Sequence, residues 1–372
     1  MIYFDNAATT GKKPISSVNA VVDAMKNYCA NPGRSGHNLS VETAVKIYET
    51  REALASFFGC NEPQNVAFTL NCTHAINCVI KGLVDRNEQV VVSSLEHNAV
   101  MRPLYEVGAK VDVVKVSLYD DEETLNGFRN LVNENTRLVI CTGASNVIGK
   151  KLPIEKIGAL CKEKNVPFAV DGAQIAGTSE IDMQKQNIDF LCLAPHKGLY
   201  APTSTGVLIA RKPLKRSLIE GGTGSDSINL SHPLALPESV EAGTVNVPGI
   251  FGIKGGLDFV KMKGTSSIKR YEDMLCDRLF RGLKENKNVM LYCNYNSKLF
   301  SPVISFNFKD YGSEQTAAKL NEKGIAVRAG LHCAPTAHRQ IGTIERGTVR
   351  VCPSVFNTKA EVDYLIKVLK YI

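Results

Sequence analysis

The stretch VPFAVDGAQIAG (residues 166–177) decides the fold, because a short apolar run ends abruptly at Asp171 and Gly172. Six more apolar, β-branched runs lie between residues 65 and 211, namely NVAFTL, QVVVSS, VDVVKVS, RLVICTG, IDFLCLA and TGVLIAR. Segments with helical periodicity separate several of them. Nearly continuous apolar strands that alternate with helices predict an α/β fold with a mostly parallel, seven-stranded sheet covered on both faces.

The composition changes after this alternating part. Residues 220–249 are rich in Gly, Ser and Pro and indicate a long irregular connection, a kind of segment that is usually functional or exposed. One long helical pattern follows, then the strand-like run SPVISFNF and the helical segment EQTAAKLNEKG. We therefore expect a large α/β domain over residues 16–249, and a smaller α+β domain built from residues 1–15 and 250–372.

Composition and charge exclude several classes of protein. The 372 residues are 44% hydrophobic and 22% charged, which is typical of a soluble globular protein. The net charge is +7, but Lys and Arg are scattered, so we interpret the pairs at residues 12–13 and 150–151 as solvated surface and expect no nucleic-acid binding. The positive excess does suit an anionic ligand such as a phosphate or a carboxylate.

The number and spacing of the cysteines indicate the redox environment of the protein. There are eleven, an odd number, and none forms a C-x-x-C pair, which favours reduced thiols in a cytoplasmic protein over a disulfide scaffold. The start MIYFDNAATT does not resemble a signal peptide. No segment approaches the ~18 uninterrupted apolar residues of a membrane span. We expect a soluble protein without a membrane partner.

Polar residues follow the predicted strands, where parallel α/β sheets bind their ligands. Cys72, Thr73 and His74 begin a helix, and Thr73 can either cap that helix or bind a phosphate. His97 follows the run QVVVSS, and Asn146 follows RLVICTG. Taken singly, a helix cap is the better explanation of Thr73 and of His97, and Asn146 is a possible donor to a ligand oxygen.

Asp171 and Lys197 indicate a catalytic site more specifically than the residues above. A carboxylate at the end of a buried strand needs a cationic partner, and no Lys or Arg lies near Asp171 in sequence, so a protonated ring nitrogen of a ligand is an attractive partner. Lys197 follows His196 between two strands, where desolvation would lower its pKa and permit Schiff-base chemistry. Pyridoxal phosphate (PLP) enzymes need such a lysine, an acid facing the pyridinium nitrogen and an anion site.

The segment RAGLHCAP (residues 328–335) places Cys333 in a glycine-containing loop, directly after His332 and five residues after Arg328. Nearby positive charge lowers the pKa of a thiol, so both neighbours are expected to favour a thiolate. A reactive cysteine is therefore predicted here.

Together these motifs resemble the class V aminotransferase superfamily of fold-type I PLP enzymes, and within it the cysteine desulfurases, over essentially the whole chain. The segments that carry the resemblance are YFDNAATT, NPGRSGHNLS, DGAQIAG, PHKGLYAPTSTGVL, EAGTVNVPGI, VRAGLHCAP and TVRVCPSVFNT. EAGTVNVPGI resembles a loop that reaches into the neighbouring subunit, which implies a homodimer. The short spacing from Arg328 to Cys333 resembles desulfurases with a compact cysteine loop, whose sulfur a carrier protein often collects.

The resemblance also implies roles for single residues. Lys197 would hold PLP covalently and later move the proton on the substrate's α-carbon. Cys333 would take sulfur from L-cysteine as a persulfide and leave L-alanine, for iron–sulfur cluster or other sulfur-cofactor synthesis. Around the cofactor ring, the resemblance implies Asp171 on the pyridinium nitrogen, Gln174 on the phenolate oxygen, and His97 stacked on the ring and assisting proton transfer. At the phosphate it implies Thr73, His74, Cys72 and His196, together with Thr244 from the other protomer. At the substrate it implies Arg350 on the carboxylate, with Asn146, Arg328 and Ala7 nearby.

The chain departs from the family at several positions. Cys72, Ala194 and Gly33 stand where the family usually has Thr, Ser and His, so two phosphate contacts and one active-site side chain differ. Residues 335–338 after the cysteine also differ from the commoner pattern, which predicts an unusual sulfur acceptor.

Four alternative functions stay open at this stage. A selenocysteine lyase needs the same residues, whereas a class V aminotransferase acting on a small amino acid has no use for Cys333. A catalytically inactive scaffold of this fold would be expected to lose Lys197 or Asp171, and both are present. The fourth is a zinc site, whose candidate ligands fit no standard zinc motif; these ligands are His332, Cys333, His338 and Cys352.

Overall fold

The computed structural model describes residues 1–33, 35–225 and 227–372. In chain order its strands are β1 (Ile2–Tyr3), β2 (Val66–Thr69), β3 (Gln89–Ser93), β4 (Lys110–Val114), β5 (Thr136–Thr142), β6 (Phe168–Asp171), β7 (Phe190–Leu193), β8 (Gly206–Ala210), β9 (Val289–Leu291), β10 (Ile304–Phe308), β11 (Ile325–Ala326) and β12 (Val349–Val351). Its α-helices are α1 (Ile15–Asn27), α2 (Asn38–Phe57), α3 (Cys72–Leu83), α4 (Asn98–Val107), α5 (Asp121–Leu131), α6 (Ile154–Glu163), α7 (Val247–Lys263), α8 (Thr265–Lys284), α9 (Ser313–Glu322), α10 (Pro335–Gln340) and α11 (Lys359–Leu369).

Seven strands form the main sheet in the order β2-β8-β7-β6-β5-β3-β4. Strands β3 to β7 pair in parallel, and only β8 runs against its two neighbours. Every residue of β6, β7 and β8 is buried, because helices cover both faces of the sheet and leave no polar side. The predicted α/β fold with a mostly parallel, seven-stranded sheet is confirmed.

A second layer of structure is formed by the C-terminal part of the chain. Strands β12, β10 and β9 make an antiparallel sheet, and β1 pairs in parallel with β11. Apolar side chains from Phe4 and from residues 275–369 form a core of their own. Helix α7 buries its side chains in the larger core instead. The domain boundaries proposed from the sequence stay a prediction.

The single long helix expected after residue 250 is two helices. Helix α7 ends and α8 begins at Gly264, whose φ of +81° lies in the left-handed region. Residues that carry a Cβ rarely adopt this backbone conformation, so the glycine permits the break between the two helices.

Three lysines that we interpreted as solvated surface are not, and one of them is Lys151, which is half-buried and whose pKa burial lowers to about 8. Lys150 is fully buried, and its Nζ lies 2.7 Å from Oδ1 of Asp121. Lys13 is half-buried, and burial lowers its pKa to about 8. All three were misread because adjacent lysines in a sequence do not reveal which of them turns inward.

Two further findings concern the whole described chain. All eleven cysteines are free thiols, as expected for reduced cysteines. Among the described residues, no helix combines the length and the apolar character that a membrane span requires.

Candidate active site

The sheet topology brings the predicted site residues to one edge. Strands β6 and β7 are parallel, with Asp171 opposite Cys192, so the loop after β7 that carries Lys197 emerges beside Asp171. Helix α3 begins directly after β2, and His97 and Asn146 follow β3 and β5. The carboxyl ends of these strands therefore meet where ligands bind in sheets of this kind.

A cavity of about 240 Å³ opens at this edge. The predicted site residues that line it are Ala7, Cys72, Thr73, His97, Asn146, Asp171, Gln174, His196, Lys197, Arg328, Cys333 and Arg350. His74 and Thr244, which were also predicted, are not among its lining residues. The cavity thus joins residues that lie more than 300 positions apart in the sequence.

Asp171 is held by neutral donors. Its Oδ1 accepts the Ala173 N–H at 3.0 Å and lies 3.6 Å from the Cys72 thiol, which donates to it. Burial and the Asp171 charge keep the pKa of this thiol well above its usual value. The carboxylate is only 4% exposed, and no salt bridge to it is found within the described residues. It is therefore left to pair with a cation in the cavity.

Lys197 faces the same cavity. Burial lowers the pKa of its amine, and the charges of Asp171 and Cys72 oppose that shift. In the described part of the chain its Nζ has no hydrogen-bond partner, so the amine is available to react with a ligand. A lysine with a lowered pKa is a nucleophile suited to Schiff-base formation.

The N-terminal segment, residues 4–13, holds the loop before Lys197 in place. The carbonyl oxygen of His196 accepts hydrogen bonds from Thr10 Oγ1 at 3.0 Å and from Lys13 Nζ at 2.8 Å. Thr9 Oγ1 lies 3.2 Å from the same oxygen. The same segment meets the sheet edge, because Gln174 Nε2 donates to the carbonyl of Ala7 at 3.0 Å. Several donors thus converge on the loop that carries Lys197.

His97 is the N-cap of α4. Its Nδ1 accepts the Ala99 N–H at 3.0 Å, which leaves Nε2 as the ring nitrogen that can exchange a proton with a ligand. Burial lowers the pKa of this ring, and the Asp171 charge opposes the shift. A neutral imidazole over the cavity follows from this environment.

Arg350 is 1% exposed and rigidly held. Its Nη1 donates to the Asn146 carbonyl at 2.9 Å, and its Nη2 lies 2.7 Å from Oδ1 of Asp5. Its Nε has no partner in the described chain. A buried guanidinium that lines the cavity and keeps a free donor is suited to an anionic ligand.

The loop that carries Cys333, residues 330–334, adopts left-handed backbone conformations. His332 and Cys333 have φ values of +49° and +56°, which are uncommon for residues with a side chain. Two hydrogen bonds of 2.7 Å hold the loop, one from Asn146 Nδ2 to the His332 carbonyl and one from the Asn98 N–H to the Cys333 carbonyl. Cys333 itself remains exposed while lining the cavity.

His332 does not supply the positive charge expected from the sequence. Burial lowers the pKa of its ring to about 2, and its Nε2 lies 3.1 Å from the Thr348 carbonyl. The ring is neutral at physiological pH, so this part of the prediction is wrong. Arg328 and Arg350 line the same cavity as Cys333, as does Lys197.

The predicted phosphate end is built around the start of α3. Asn71 caps this helix by accepting the His74 N–H at 2.9 Å, and the N–H groups of Cys72 and Thr73 have no partner in the described chain. His196 lines the cavity with a buried Nδ1 that no described group satisfies. Free amides at a helix start favour an anion.

The comparisons agree with this geometry. The protein-family model described as aminotransferase class-V matches residues 2–365. This chain belongs to that family. Its relatives include a probable cysteine desulfurase of Pyrococcus abyssi, 31% identical over 100% of this chain and 94% of the relative, and one of Borreliella burgdorferi, 30% identical over 100% and 92%.

A solved structure shows the same relationship. The apo structure of cysteine desulfurase from Thermococcus onnurineus NA1 superposes with a TM-score of 0.91 at 32% identity, and covers 100% of this chain and 94% of that one. The resemblance read from the motifs, to class V aminotransferases and within them to cysteine desulfurases, is therefore confirmed, as is the expectation of an enzyme of this type.

Within this class V aminotransferase fold, the structure adds residues that sequence reasoning missed. Asp5 and Lys13 lie in the N-terminal segment and hold Arg350 and the lysine loop, although both were only part of a motif or a lysine pair in the sequence. Asn71 precedes a helix and could have been found by its capping pattern. Among the described residues, no group of three or more His, Cys, Asp or Glu side chains is placed to hold a metal, so the zinc alternative finds no support.

Proposed function

We propose that this protein is a PLP-dependent cysteine desulfurase that converts L-cysteine to L-alanine and transfers the sulfur to Cys333 as a persulfide. The observation that carries the proposal is that Lys197, Asp171 and Cys333 line one cavity of about 240 Å³. An aminotransferase would have no use for the thiol at this place.

The residues present fit PLP. Asp171 lacks a cationic partner in the described chain and would pair with the pyridine nitrogen, while Gln174 would contact the phenolate oxygen. The free N–H groups of Cys72 and Thr73, with His196, would hold the phosphate. His74 donates its main-chain N–H to Asn71 and would support this end of the site indirectly.

Lys197 would attach the cofactor through its Nζ and would later move the proton at the α-carbon of the substrate. Its lowered pKa suits both tasks, because an unprotonated amine is needed for each. Bound there, PLP would supply the electron sink that weakens bonds at the substrate's α- and β-carbons. His97 would pack on the ring and present Nε2 to the reacting groups, since its Nδ1 is occupied by Ala99.

Arg350 would bind the carboxylate of the substrate, with Asn146, Arg328 and Ala7 beside it. Cys333 would then attack the substrate sulfur as a thiolate. The new S–S bond forms while the C–S bond of the substrate breaks, and the electron pair of that bond stays on the carbon skeleton, which becomes L-alanine on protonation. Arg328 and Arg350 line the same cavity as Cys333.

A homodimer is part of the proposal. Two helices expose regularly spaced apolar side chains, which monomeric proteins rarely do over a contiguous surface. These are Ile15, Val18, Val22 and Met25 on α1 and Val41, Val45 and Tyr48 on α2. Thr244 is exposed and lies outside the cavity of its own subunit, where its Oγ1 accepts from Asn31 Nδ2 at 3.5 Å, and it would serve the site of a second copy.

The destination of the sulfur completes the proposal. Cys333 is exposed, so a carrier protein or another acceptor thiol can reach its persulfide. We propose a cytoplasmic location for this exchange, supported by the eleven free thiols, which a reducing compartment preserves. Iron–sulfur cluster or other sulfur-cofactor synthesis is the corresponding use of the sulfur.

Peptide mass spectrometry after reaction with L-cysteine tests the function. The PLP-loaded protein should release L-alanine and gain one sulfur atom on Cys333, and the other exposed cysteine, Cys29, should stay unmodified. A parallel reaction with L-selenocysteine compares kcat/KM for the two substrates. Alanine formation without a persulfide on Cys333, or a kcat/KM that is useful only with selenocysteine, would contradict the proposal.

Light scattering after gel filtration tests the dimer. Val45→Asp places a charge in the exposed apolar face of α2 and should convert the dimer to monomer. Tyr105→Asp is the matched control, because Tyr105 is 86% exposed on α4, outside this face. A wild-type protein that elutes as a monomer at micromolar concentration would contradict this part.

A further inference from the structure

A second, smaller cavity of about 40 Å³ lies behind Lys197. It shares four lining residues with the first cavity, and these are Ala7, Ala173, Gln174 and Lys197. Lys197 therefore borders both spaces. The other polar groups around the small cavity are Asn6, Thr10, Thr178, Tyr200, Glu272, Ser301 and Ser354.

This cavity has the properties of a site for ordered water. One buried water needs roughly 10–15 Å³ of such space and two to four polar partners, so the cavity has room for about three. Its lining offers hydroxyl, amide and carboxyl groups together with the Lys197 amine. An apolar cavity of this size would stay dry.

Glu272 is the buried acid of this cavity, and the proposed chemistry does not use it. It is 3% exposed, on helix α8. Its Oε1 accepts the Tyr200 hydroxyl at 3.2 Å and the Val355 N–H at 3.0 Å. In the described chain neither contact uses Oε2, which leaves that oxygen to the cavity that Glu272 lines.

The charge state of Glu272 is set by its surroundings. Burial raises its pKa to about 8, while its hydrogen bonds to Tyr200 and Val355 oppose the shift. The acid is thus neutral at pH 7 and able to lose a proton slightly above it. The titratable groups that face it are Tyr200 from the loop after β7, Cys352 from the end of β12, Lys197 across the cavity, and Asp273 and Lys269 on its own helix.

We propose that water in this cavity connects Glu272 to Lys197, and that Glu272 exchanges a proton with the Nζ of Lys197 during turnover. In one direction the proton leaves the Glu272 carboxyl, passes through water and arrives on Nζ, which leaves a carboxylate and an ammonium. In the other direction it returns, so no electron pair or further reactant is required. The inference rests on the proposed role of Lys197, and makes Glu272 a proton reservoir that acts through that lysine.

The variant Glu272→Gln tests the role of the Glu272 proton separately from the hydrogen bonds of the side chain. Its amide oxygen can still accept from Tyr200 and Val355, but it does not titrate. Asp273→Asn is the matched control, because Asp273 is a neighbouring buried acid that binds Tyr295 and Lys269 and does not line the cavity. Cys352→Met keeps Glu272 and fills the cavity with a larger side chain, which excludes the water.

Two measurements on the PLP-loaded protein decide the question. The first is the pH at which the bound cofactor changes its visible absorbance between pH 6 and 10. A Glu272 carboxylate favours the protonated nitrogen of Lys197, so its loss in Glu272→Gln should lower this midpoint by about half a pH unit or more. The second is exchange of the α-hydrogen of L-alanine with D₂O, followed by NMR, which should slow about tenfold in both Glu272→Gln and Cys352→Met.

An unchanged midpoint and exchange rate in Glu272→Gln would overturn the inference, as would Asp273→Asn shifting both quantities equally. Wild-type exchange in Cys352→Met would show that water in this cavity is not the route. A wild-type protein without cofactor absorbance would contradict the proposed function as well, whereas a normal wild-type spectrum with an unaffected Glu272→Gln contradicts this inference alone.

Discussion

The lysine loop and the cysteine loop face the same cavity, but they are held in opposite ways. Lys197 emerges from the buried end of β7, and donors from the N-terminal segment converge on the carbonyl of His196 before it. Cys333 is exposed between the buried residues His332 and Ala334, on a loop with left-handed backbone that Asn98 and Asn146 hold. Lys197 is thus buried on a loop that several hydrogen bonds fix, whereas the side chain of Cys333 is exposed.

This difference matches the two tasks that we propose. A group that must keep one geometry and a lowered pKa gains from burial, because desolvation and fixed dipoles act strongly there. A thiol that must receive sulfur and pass it on has to be reached from outside. Variants of Lys197 and of Cys333 should therefore differ in which property they lose, cofactor attachment or sulfur transfer.

Replacement of the lysine should have the largest effect. Lys197→Ala removes the amine that we propose to attach the cofactor and move the proton, so kcat/KM for L-cysteine should fall by about 10³-fold or more. Borohydride should trap PLP on the wild-type protein and not on the variant. Lys151→Ala is the control, since burial also lowers the pKa of Lys151 to about 8, but it lies outside the site. Equal losses in both variants would remove the special role of Lys197.

Replacement of Cys333 should have the second-largest effect on activity, and it should leave cofactor binding by the lysine loop unchanged. Cys333→Ser should reduce alanine formation from L-cysteine by about 10²-fold while the absorbance of bound PLP stays unchanged, because the lysine side remains intact. Cys29→Ser, at the other exposed cysteine, should behave as wild type. Loss of the cofactor spectrum in Cys333→Ser would mean that the two loops are not independent.

A smaller effect is expected from Asp5→Asn. Asp5 fixes Nη2 of the buried Arg350 at 2.7 Å, so its neutralisation should loosen substrate binding and raise KM by about tenfold with little change in kcat. Asp363→Asn is the matched control, because it breaks a surface pair with Arg278 far less buried than this one. A fall in kcat at constant KM would contradict a role in binding the carboxylate.

The last prediction concerns the stability of the fold near the cysteine loop, and not the reaction. Burial lowers the pKa of His338 from 6.5 to about 4. The unfolded chain therefore takes up this proton below pH 6.5, whereas the folded chain does not until about pH 4. Stability is fully present above pH 6.5 and is lost as the pH falls to 4, by about 3 kcal/mol for this one group.

Urea unfolding at pH 7 and pH 4.5 measures this slope. His338→Gln should lose less stability on acidification than the wild type, whereas His37→Asn, at an exposed histidine that caps α2, should follow the wild type. An identical acid slope in His338→Gln would assign the loss to other buried groups such as His332.

Much of this molecule could be predicted from the sequence because its signals are local. The seven strands appear as apolar runs, and Asp171, Lys197 and Cys333 follow or lie near elements that the sequence marks. The class V aminotransferase motifs then supplied the family. Side-chain surroundings were less predictable, and the neutral state of His332 and the buried Lys150 contradicted their sequence-based interpretation.

The sequence by itself therefore determined the α/β class, the positions of the strands along the chain and the residues with reactive groups, because strand periodicity and motif spacing are properties of neighbours in the chain. Only the tertiary structure decided which distant residues surround those groups. Asp5 meets Arg350 and Glu272 meets Tyr200 across long stretches of chain, and burial raises the pKa of Glu272. Desolvation depends on every element packed around a group, and no local pattern contains that information.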